Sequence, residues 1–431
     1  MQKEAIFYKK NFLIYGFGKS GCASYKFLNK KNDCKIIDDN KKNIPSKYKY
    51  KIINHKDVKK NNFDYIVLSP GIDVNKCSLS RYLKKNSFKV ITELDIFYLS
   101  YPSIKKITIT GTNGKSTTSK LIYDVLKEHR KDVRLTGNIG NPTLLEKNIN
   151  NNTVFIIEAS SYQLEYSKFF KSEYSIILNL SPDHLERHGN FKNYIKAKFK
   201  LIQSQSKNSY AFIEKKNYLL NNLIKKNKIE SKICRVNYKK YQKHYKFITN
   251  DYFGNISNLK NLSFVFALSK NFKLSLKKII NVANKFKQLD FRQQIVYRSN
   301  KLIIINDSKS TSLSSTLPLL ESFKNIYWIL GGIAKKGDQL KLKKENFIKI
   351  KAYIYGKDKI FFSKTLSNKI KYKTSRNLKD TLQQVFVDLR KEEEKKNIIL
   401  FSPSAASFDQ FRNFEDRGKY FNKIIKKHLK K

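Results

Sequence analysis

The sequence predicts an α/β protein of three domains with mainly parallel sheets. Short apolar runs alternate with helical stretches along nearly the whole chain, a pattern that is typical of β-α units. Small polar motifs follow these runs where the strands should end, and ligands of open α/β sheets bind beyond those ends. The motifs form three clusters, so we expect domains at residues 1–92, 93–288 and 289–431.

The length of the chain agrees with three domains, and its charge bears on the partners that it could bind. The chain has 431 residues, enough for about three domains of roughly 150 residues each. Lys and Arg together number 88 against 35 Asp and Glu, a formal net charge of +53. Only 11 of the basic residues are Arg, which nucleic-acid readers use for bidentate base contacts. We therefore interpret the scattered Lys as a solvated surface coat and expect no specific nucleic-acid partner.

Several classes of protein are excluded. No run of 18 apolar residues is present, so we expect no membrane insertion. The apolar stretch Asn11–Phe17 is too short for a signal sequence. The four cysteines form no C-x-x-C pair, which argues against a disulfide scaffold or a thiolate zinc site. We expect a cytoplasmic monomer.

The strands are predicted from the apolar runs. One segment, residues 204–253, is rich in Lys, Asn and Tyr, and we expect it to be a variable, partly irregular surface region. The predicted strands lie at 11–15, 35–37, 65–68, 90–92, 107–110, 154–157, 174–179, 302–305, 326–330, 352–355 and 398–401.

Gly16–Gly21 follows the first apolar run and matches G-x-G-x-x-G. Its glycines permit a tight turn, and the following helix N-terminus favours a pyrophosphate. Asp38 and Asp39 end the next run, where a contact to ribose or base would lie. Taken alone, this pattern fits an NAD-dependent oxidoreductase or a tight turn without a ligand.

Gly111–Thr117 is the strongest local signal. It follows the run Lys106–Thr110 and precedes the predicted helix Ser119–Glu128. Backbone N–H groups of such a loop cradle phosphates, Lys115 would neutralise β- and γ-phosphate oxygens, and a hydroxyl of Ser116 or Thr117 can ligate Mg²⁺. The loop is shorter than the full G-x-x-x-x-G-K-[ST] pattern, because residue 109 is Ile. It predicts an enzyme that uses Mg·ATP.

Carboxylate and imidazole groups follow two later strands. Glu158 follows the run 154–157 and offers an oxygen ligand for Mg²⁺. Without the loop Gly111–Thr117 nearby, a buried ion pair would be a real competing interpretation. His184 and His188 have the i, i+4 spacing of a helical zinc motif, but Leu185 follows His184 and no third ligand is evident. A catalytic zinc site is therefore not expected.

The last third carries two small polar segments, residues 306–311 and 404–409. Their hydroxyls and Lys309 suit a carboxylate ligand near a helix N-terminus. They suit caps and turns equally well.

In combination, four motifs resemble the Mur ligase family of ATP-dependent, amide-forming ligases. They are Gly111–Thr117, Gly137–Gly140, Glu158–Leu164 and Asp183–Leu185. The motifs at 16–21, 69–71, 306–311 and 402–411 are similar to those of the family branch that joins D-glutamate to UDP-N-acetylmuramoyl-L-alanine through an acyl phosphate. The resemblance spans the chain except for about residues 204–253.

This resemblance implies an N-terminal Rossmann-like domain for the UDP substrate, a central P-loop ATPase domain, and a C-terminal Rossmann-like domain for the amino acid. It also implies roles for individual residues. For ATP these are Gly111, Thr112, Asn113, Gly114, Lys115, Ser116, Thr117, Asn261 and Arg292. For the UDP substrate they are Gly16, Gly18, Lys19, Ser20, Asp38, Ser69, Gly71, Asn138 and His184. For D-glutamate they are Lys309, Thr311, Lys335, Ser407, Phe408 and Phe414.

The same resemblance implies two Mg²⁺ ions and three catalytic residues. The ions would be held by Ser116, Glu158, His184 and Lys198, the last as a carbamate formed with CO₂. The catalytic residues would be Lys115, His184 and Lys198.

The sequence differs from the family pattern at two places, which bear on the roles assigned for ATP and for the amino acid. The family's His before Asn-x-x-Asn is Ser257 here, with Asn258 and Asn261 following. Lys336 stands next to Lys335, so either lysine could contact the amino acid. The alternatives are another ligase of this family that adds a different amino acid, or an oxidoreductase, which leaves Gly111–Thr117 unexplained.

Overall fold

The computed structural model describes residues 6–335, 337–391 and 396–429. Its three sheets lie in two compact units. The first unit holds the chain up to Leu180, His184–His244 and Asn261–Val282. The second holds Ser181–Asp183, Tyr245–Lys260 and the chain from Ala283 onward. The domain bounds at 92 and 288 stay a prediction.

The first sheet has four parallel strands in the order β2-β1-β3-β4. Side chains of a strand alternate between the faces of a sheet, so Phe12 and Ile14 enter one core while Leu13 and Tyr15 enter the other. The elements are β1 (Asn11–Tyr15), α1 (Lys19–Leu28), β2 (Asp33–Ile37), α2 (His55–Val58), β3 (Tyr65–Leu68), α3 (Ser80–Lys85), β4 (Val90–Ile91) and α4 (Glu93–Ser100).

The second sheet has six parallel strands in the order β10-β9-β8-β5-β7-β6. It shares a core with the first sheet, because Phe97 of α4 packs against Phe155 at 4.6 Å between ring centroids. Its elements are β5 (Lys105–Thr110), α5 (Lys115–Glu128), β6 (Val133–Gly137), β7 (Val154–Glu158), α6 (Ser161–Glu165), β8 (Tyr174–Ile177), α7 (Leu185–His188), α8 (Phe191–Gln203), β9 (Tyr210–Glu214), α9 (Tyr218–Lys226), β10 (Lys232–Val236), α10 (Gln242–Tyr245), α11 (Ile256–Phe272) and α12 (Leu276–Lys285).

The expectation of a partly irregular segment at 204–253 is wrong for its first half. Strand β9, helix α9 and strand β10 form a regular β-α-β unit at the edge of the second sheet. The pattern was weak because β10 is half exposed and because Leu220 is the buried residue of α9. An edge unit needs few apolar positions, so its periodicity is diluted by Lys and Asn.

The third sheet has the strand order β11-β12-β16-β13-β14-β15. Only β11 is antiparallel to its neighbour, so the prediction of mainly parallel sheets is confirmed. The elements are β11 (Gln294–Arg298), β12 (Leu302–Asn306), α13 (Leu313–Ser322), β13 (Ile326–Gly331), β14 (Ile350–Tyr355), α14 (Lys359–Leu366), β15 (Lys371–Thr374), α15 (Leu378–Leu389), β16 (Asn397–Phe401) and α16 (Phe414–Leu429).

Helix α5 begins at Lys115, four residues before the predicted start, because the last residues of the loop Gly111–Thr117 are themselves its first turn. No helix in the described parts of the chain is long and apolar enough to span a membrane.

Asp95 ties α4 to the segment that follows α6. Its Oδ2 accepts bonds from the backbone N–H and the hydroxyl of Thr92, both at 2.9 Å. Its Oδ1 accepts the backbone N–H groups of Lys168, Phe169 and Phe170 at 2.9, 2.8 and 3.0 Å. One buried carboxylate therefore satisfies donors from two segments.

We expect Asp95→Asn to lower the free energy of unfolding by about 3 kcal/mol, because an amide N–H₂ cannot accept these bonds. Urea denaturation followed by circular dichroism measures the change. The control is Asp124→Asn, which removes a partly exposed i, i+4 pair with Lys120 and should cost less than about 1 kcal/mol. Equal losses in the two variants would contradict the role given to Asp95.

Candidate functional site

The loop Gly111–Thr117 joins β5 to α5 and is held by its neighbours. Asn179 accepts the N–H of Thr112 with its carbonyl at 3.0 Å and the N–H of Asn113 with its side chain at 2.8 Å. The Lys115 ammonium donates to the carbonyls of Gly111 and Thr112, both at 2.8 Å. The loop therefore presents a helix N-terminus and a cation at one place, as a polyphosphate site requires.

Gly114 shows how tightly this loop is packed. Its φ of +84° is in the left-handed region, and a Cβ there would lie 2.4 Å from Oδ1 of Asn261. Asn261, one of the residues that the resemblance links to ATP, thus lies directly against the loop. Arg292, the other such residue outside the loop, belongs to the second unit.

Lys198 lies in α8 and reaches the same loop. Its side chain is buried, and Nζ donates to the carbonyl of Gly111 at 2.9 Å and to Oγ1 of Thr110 at 3.3 Å. Tyr194, one helical turn earlier, places its ring 4.8 Å from that Nζ and its hydroxyl 2.9 Å from Oγ1 of Thr112. Sequence reasoning missed Tyr194 and Asn179, although the i, i+4 spacing of Tyr194 and Lys198 was a usable signal.

Glu158 ends β7, next to β5, and is 1% exposed. Its Oε1 accepts from Nδ2 of Asn138 at 2.7 Å, while its Oε2 and the buried Oγ of Ser116 have no hydrogen-bond partner. Two orphaned oxygens at the carboxyl edge of one sheet are the ligand type that Mg²⁺ prefers. In the described residues no three His, Cys, Asp or Glu side chains cluster as a metal site, so such a site also needs hydroxyl or phosphate oxygens.

His184 stands at the start of α7 with a φ of +54°, an uncommon conformation for a residue with a side chain. Its ring lies 4.8 Å from that of Tyr162. His188 is buried and bonds to Oγ of Ser161 at 3.0 Å, so it serves the packing of α6 against α7.

In the first sheet, Gly16 and Gly21 are required by packing. A Cβ on Gly16 would lie 2.7 Å from Ser69, and one on Gly21 would lie 1.9 Å from the carbonyl of Gly16. Ser69 Oγ donates to that same carbonyl at 2.6 Å. The turn and Ser69 are therefore packed against each other.

The remaining residues assigned to the UDP substrate differ in exposure. Gly18, Lys19 and Gly71 are exposed, and Ser20 is half-buried. The Asp38 carboxylate is buried and accepts the backbone N–H groups of Phe17 at 2.7 Å and Asn40 at 2.8 Å. Asp38 thus orders the loop, which sequence reasoning had not foreseen.

In the second unit, polar residues gather where β12 and β16 end. Nζ of Lys309 lies 3.9 Å from the ring centroid of Phe414, Ser407 is buried, and Thr311 is half-buried. Phe408 is 71% exposed, so its side chain does not belong to this packed group.

Lys335 is paired with Asp183, which belongs to the same unit. The alternative residue Lys336 lies outside the described residues.

Beneath these residues lies a buried polar group that sequence reasoning missed. Arg417 donates to the carbonyls of Ser308 and Ala405 at 2.8 and 2.9 Å, which ties together the segments after β12 and β16. Burial raises the pKa of Asp307 to about 7, although Ser402 donates to it at 2.9 Å. The role of Arg417 was not predicted from the sequence, because the residue lies on a helix and the predicted site residues were sought in the segments after strands.

Known proteins match this chain in sequence and in fold. The model of the Mur ligase middle domain matches residues 109–288. A relative from Rickettsia prowazekii is 34% identical over 98% of this chain and 99% of its own, and one from Rickettsia bellii is 33% identical over 96% and 97%. The solved MurF ligase of Thermotoga maritima, in complex with ADP, has the same fold with a TM-score of 0.56 at 15% identity, covering 87% of this chain and 92% of its own.

The chain belongs to the Mur ligase family, and the resemblance seen in its motifs is confirmed. Both Rickettsia relatives are named UDP-N-acetylmuramoylalanine–D-glutamate ligase. Membership of a ligase family removes the oxidoreductase alternative that Gly16–Gly21 had left open.

Proposed function

We propose that this protein joins D-glutamate to UDP-N-acetylmuramoyl-L-alanine at the expense of ATP, a step of peptidoglycan synthesis. The alanine carboxylate attacks the γ-phosphorus of ATP, and ADP leaves to give an acyl phosphate. The amine of D-glutamate attacks that carbonyl, phosphate leaves, and the amine loses a proton as the amide forms. The observation that carries the proposal is the match to D-glutamate ligases over nearly the full length of both chains.

In this proposal the loop Gly111–Thr117 binds the ATP phosphates. Its backbone N–H groups and the N-terminus of α5 face the anion, and Lys115 neutralises charge that moves onto the γ-phosphate oxygens. Asn261 packs against the loop and would orient the nucleotide, with Arg292 as the further ATP contact. The catalytic gain comes from positioning and electrostatics, because the protein forms no covalent bond to substrate.

The orphaned oxygens of Glu158 and Ser116 support a Mg²⁺ site beside this loop. We propose His184 and a carbamate of Lys198 as the other ligands of two ions. Bound Mg²⁺ would offset the phosphate charge. The carbamate forms when the Lys198 ammonium loses a proton, the neutral amine attacks CO₂ to form an N–C bond, and the nitrogen releases a second proton. The cationic side chain thereby becomes an anionic oxygen ligand.

For the UDP substrate we propose that the turn Gly16–Gly21 and the segment Ser69–Gly71 bind the nucleotide end, with Asp38 holding the turn. Asn138 and His184 would bind the muramoyl-alanine end. Asn138 already donates to Glu158, so the same amide links this end of the substrate to the proposed metal ligands.

D-Glutamate carries two carboxylates and an amine. We propose that Lys309, Lys335, Thr311 and Ser407 bind the carboxylates, with Phe414 holding Lys309 and Phe408 covering the ligand from the surface. Because ATP is the co-substrate, we place the enzyme in the cytoplasm, and the monomeric state stays a prediction.

The experiment is phosphate release with UDP-N-acetylmuramoyl-L-alanine, ATP, Mg²⁺ and D-glutamate, each omitted in turn. We expect release only with all four components. Parallel reactions replace D-glutamate by L-alanine, L-glutamate or a diamino acid. Phosphate release with one of these amino acids, and none with D-glutamate, would show that the protein is a ligase of the same family that adds a different amino acid.

The amino-acid pocket is tested separately. We expect Ser407→Ala and Lys335→Ala to raise the KM for D-glutamate by about tenfold or more while the KM for ATP stays within about twofold, because each removes a hydrogen bond to a charged ligand. Steady-state kinetics with each substrate varied in turn measures both constants. The control is Lys357→Ala, an exposed lysine of the same unit. A parallel rise of both KM values would show that the pocket is misassigned.

A further inference from the structure

The first unit contains a buried arginine to which none of the proposed steps gives a role. Arg187 lies in α7, three residues after His184, and its side chain is 8% exposed. Its Nη2 donates to the carbonyl of Ile72 at 2.6 Å, and its Nε donates to Oε2 of Glu165 at 3.1 Å. We call these contacts the Arg187 bridge.

The bridge joins the two sheets of the first unit at a defined place. Ile72 closes the turn that begins at Ser69, since the N–H of Ile72 donates to the carbonyl of Ser69 at 3.0 Å. Ser69 in turn holds Gly16. One end of the bridge is therefore attached to the turn that we assign to the nucleotide end of the substrate.

The other end of the bridge is Glu165, in the helix whose Tyr162 contacts His184. The guanidinium lies 5.1 Å from the ring centroid of Tyr162, and that ring lies 4.8 Å from the ring of His184. Glu165 ends α6, the helix that also carries Tyr162, and its Oε2 lies 3.0 Å from Nη2 of Arg187. The short helix α7 cannot move relative to α6 without breaking this pair.

The composition of the bridge indicates a positioning role rather than a chance surface contact. A buried guanidinium that uses one nitrogen for a backbone carbonyl and another for a carboxylate is fixed in direction as well as distance. Removing one partner of such a pair leaves the other charge buried without compensation. A flexible lysine would not hold both acceptors with the same geometry.

We propose that Arg187 is a positioning residue that sets the spacing between the nucleotide-binding turn and His184. The inference rests on the proposed function, in which the UDP substrate contacts both places at once. A ligand that spans two sites binds well only when their spacing matches its length. A ligand that contacts the nucleotide turn alone does not sense that spacing.

The experiment compares UDP, which reaches only one end, with UDP-N-acetylmuramoyl-L-alanine, which reaches both. In Arg187→Met and Arg187→Lys we expect the KM for the full substrate to rise about tenfold or more. We expect the Kd of UDP, by isothermal titration calorimetry, and the KM of ATP to change by less than about twofold. A merely structural role would move all three constants together.

The matched control is Lys76→Met. Lys76 also crosses between the two sheets, donating from an exposed position to the carbonyl of Glu186 at 3.2 Å, and it should leave every constant unchanged. Should Arg187→Met fail to fold, Arg187→Lys retains the buried charge and must still show the selective rise.

Two results are separable. Suppose that the wild-type chain turns over the full substrate, but the Arg187 variants bind UDP and the full substrate equally well or equally poorly. The positioning role of Arg187 is then wrong, while the proposed function stands. If the wild-type chain neither binds UDP nor releases phosphate, both the proposed function and the positioning role of Arg187 are wrong.

Discussion

Lys115→Ala should lower kcat by a factor of about 10² or more while leaving the folded structure intact. Losing a charge that acts on the transferred phosphoryl group typically has this effect, because the charge develops in the transition state. Lys115 donates to the carbonyls of Gly111 and Thr112 in its own loop, so its substitution acts on the loop directly. ATP-dependent phosphate release measures kcat, and circular dichroism measures the fold.

The control for this variant is Lys127→Ala, which removes an exposed lysine from the last turn of the same helix. It should keep normal turnover. Near-normal activity of Lys115→Ala would show that the loop does not act on the γ-phosphate, and an equal loss in both variants would show that the effect comes from the helix.

Lys198→Ala should lose most of the activity and regain part of it when a small carboxylate such as acetate is added. Acetate can supply the anionic oxygen that the proposed carbamate would provide, and hard Mg²⁺ prefers such ligands. The residue is buried and touches the phosphate loop through Gly111 and Thr110, so loss of activity alone would not separate a carbamate from a packing role. Rescue by acetate separates them, since acetate cannot restore packing.

Two neighbouring lysines provide the comparison. Lys196 is exposed, and Lys200 donates to the carbonyl of Glu165, so neither contacts the phosphate loop in the described bonds. We expect Lys196→Ala and Lys200→Ala to stay active and to show no response to acetate. Lys196→Ala is the cleaner control. A fully active Lys198→Ala enzyme, or an unmodified ammonium at this position in a metal-bound crystal structure, would rule out the carbamate.

The sequence by itself determined the fold class and the local form of the nucleotide loops. Parallel strands buried on both faces, such as β1 and β13, read as continuous apolar runs because every side chain meets a core. Gly16 and Gly114 were predictable because their backbone conformation or close packing excludes a Cβ, and only glycine meets that demand. The position of Lys115 at the end of the short loop could be read directly from the sequence, whereas its role stays a prediction.

Strands at the margins of the sheets escaped prediction. Strand β15 is exposed throughout and has no apolar run, and β10 and β11 are half exposed and have only two or three adjacent apolar residues between charged or polar ones. Their pairing with a neighbour, and not their own side chains, makes them strands. The apolar pattern of a strand's own sequence does not show which strand it pairs with.

Only the tertiary structure decided which side chains share a site. Asn179 and Tyr194 meet the phosphate loop from separate elements, and Arg187 reaches Ile72 across 115 positions of sequence. Hydrogen bonds between distant segments depend on how the sheets pack, which a linear pattern does not encode. The physical reason is that a motif follows from the backbone conformation that its own residues need, so it can be recognised in the sequence. The partner of a buried charge can come from any segment that the fold brings within about 3 Å, so the sequence does not identify it.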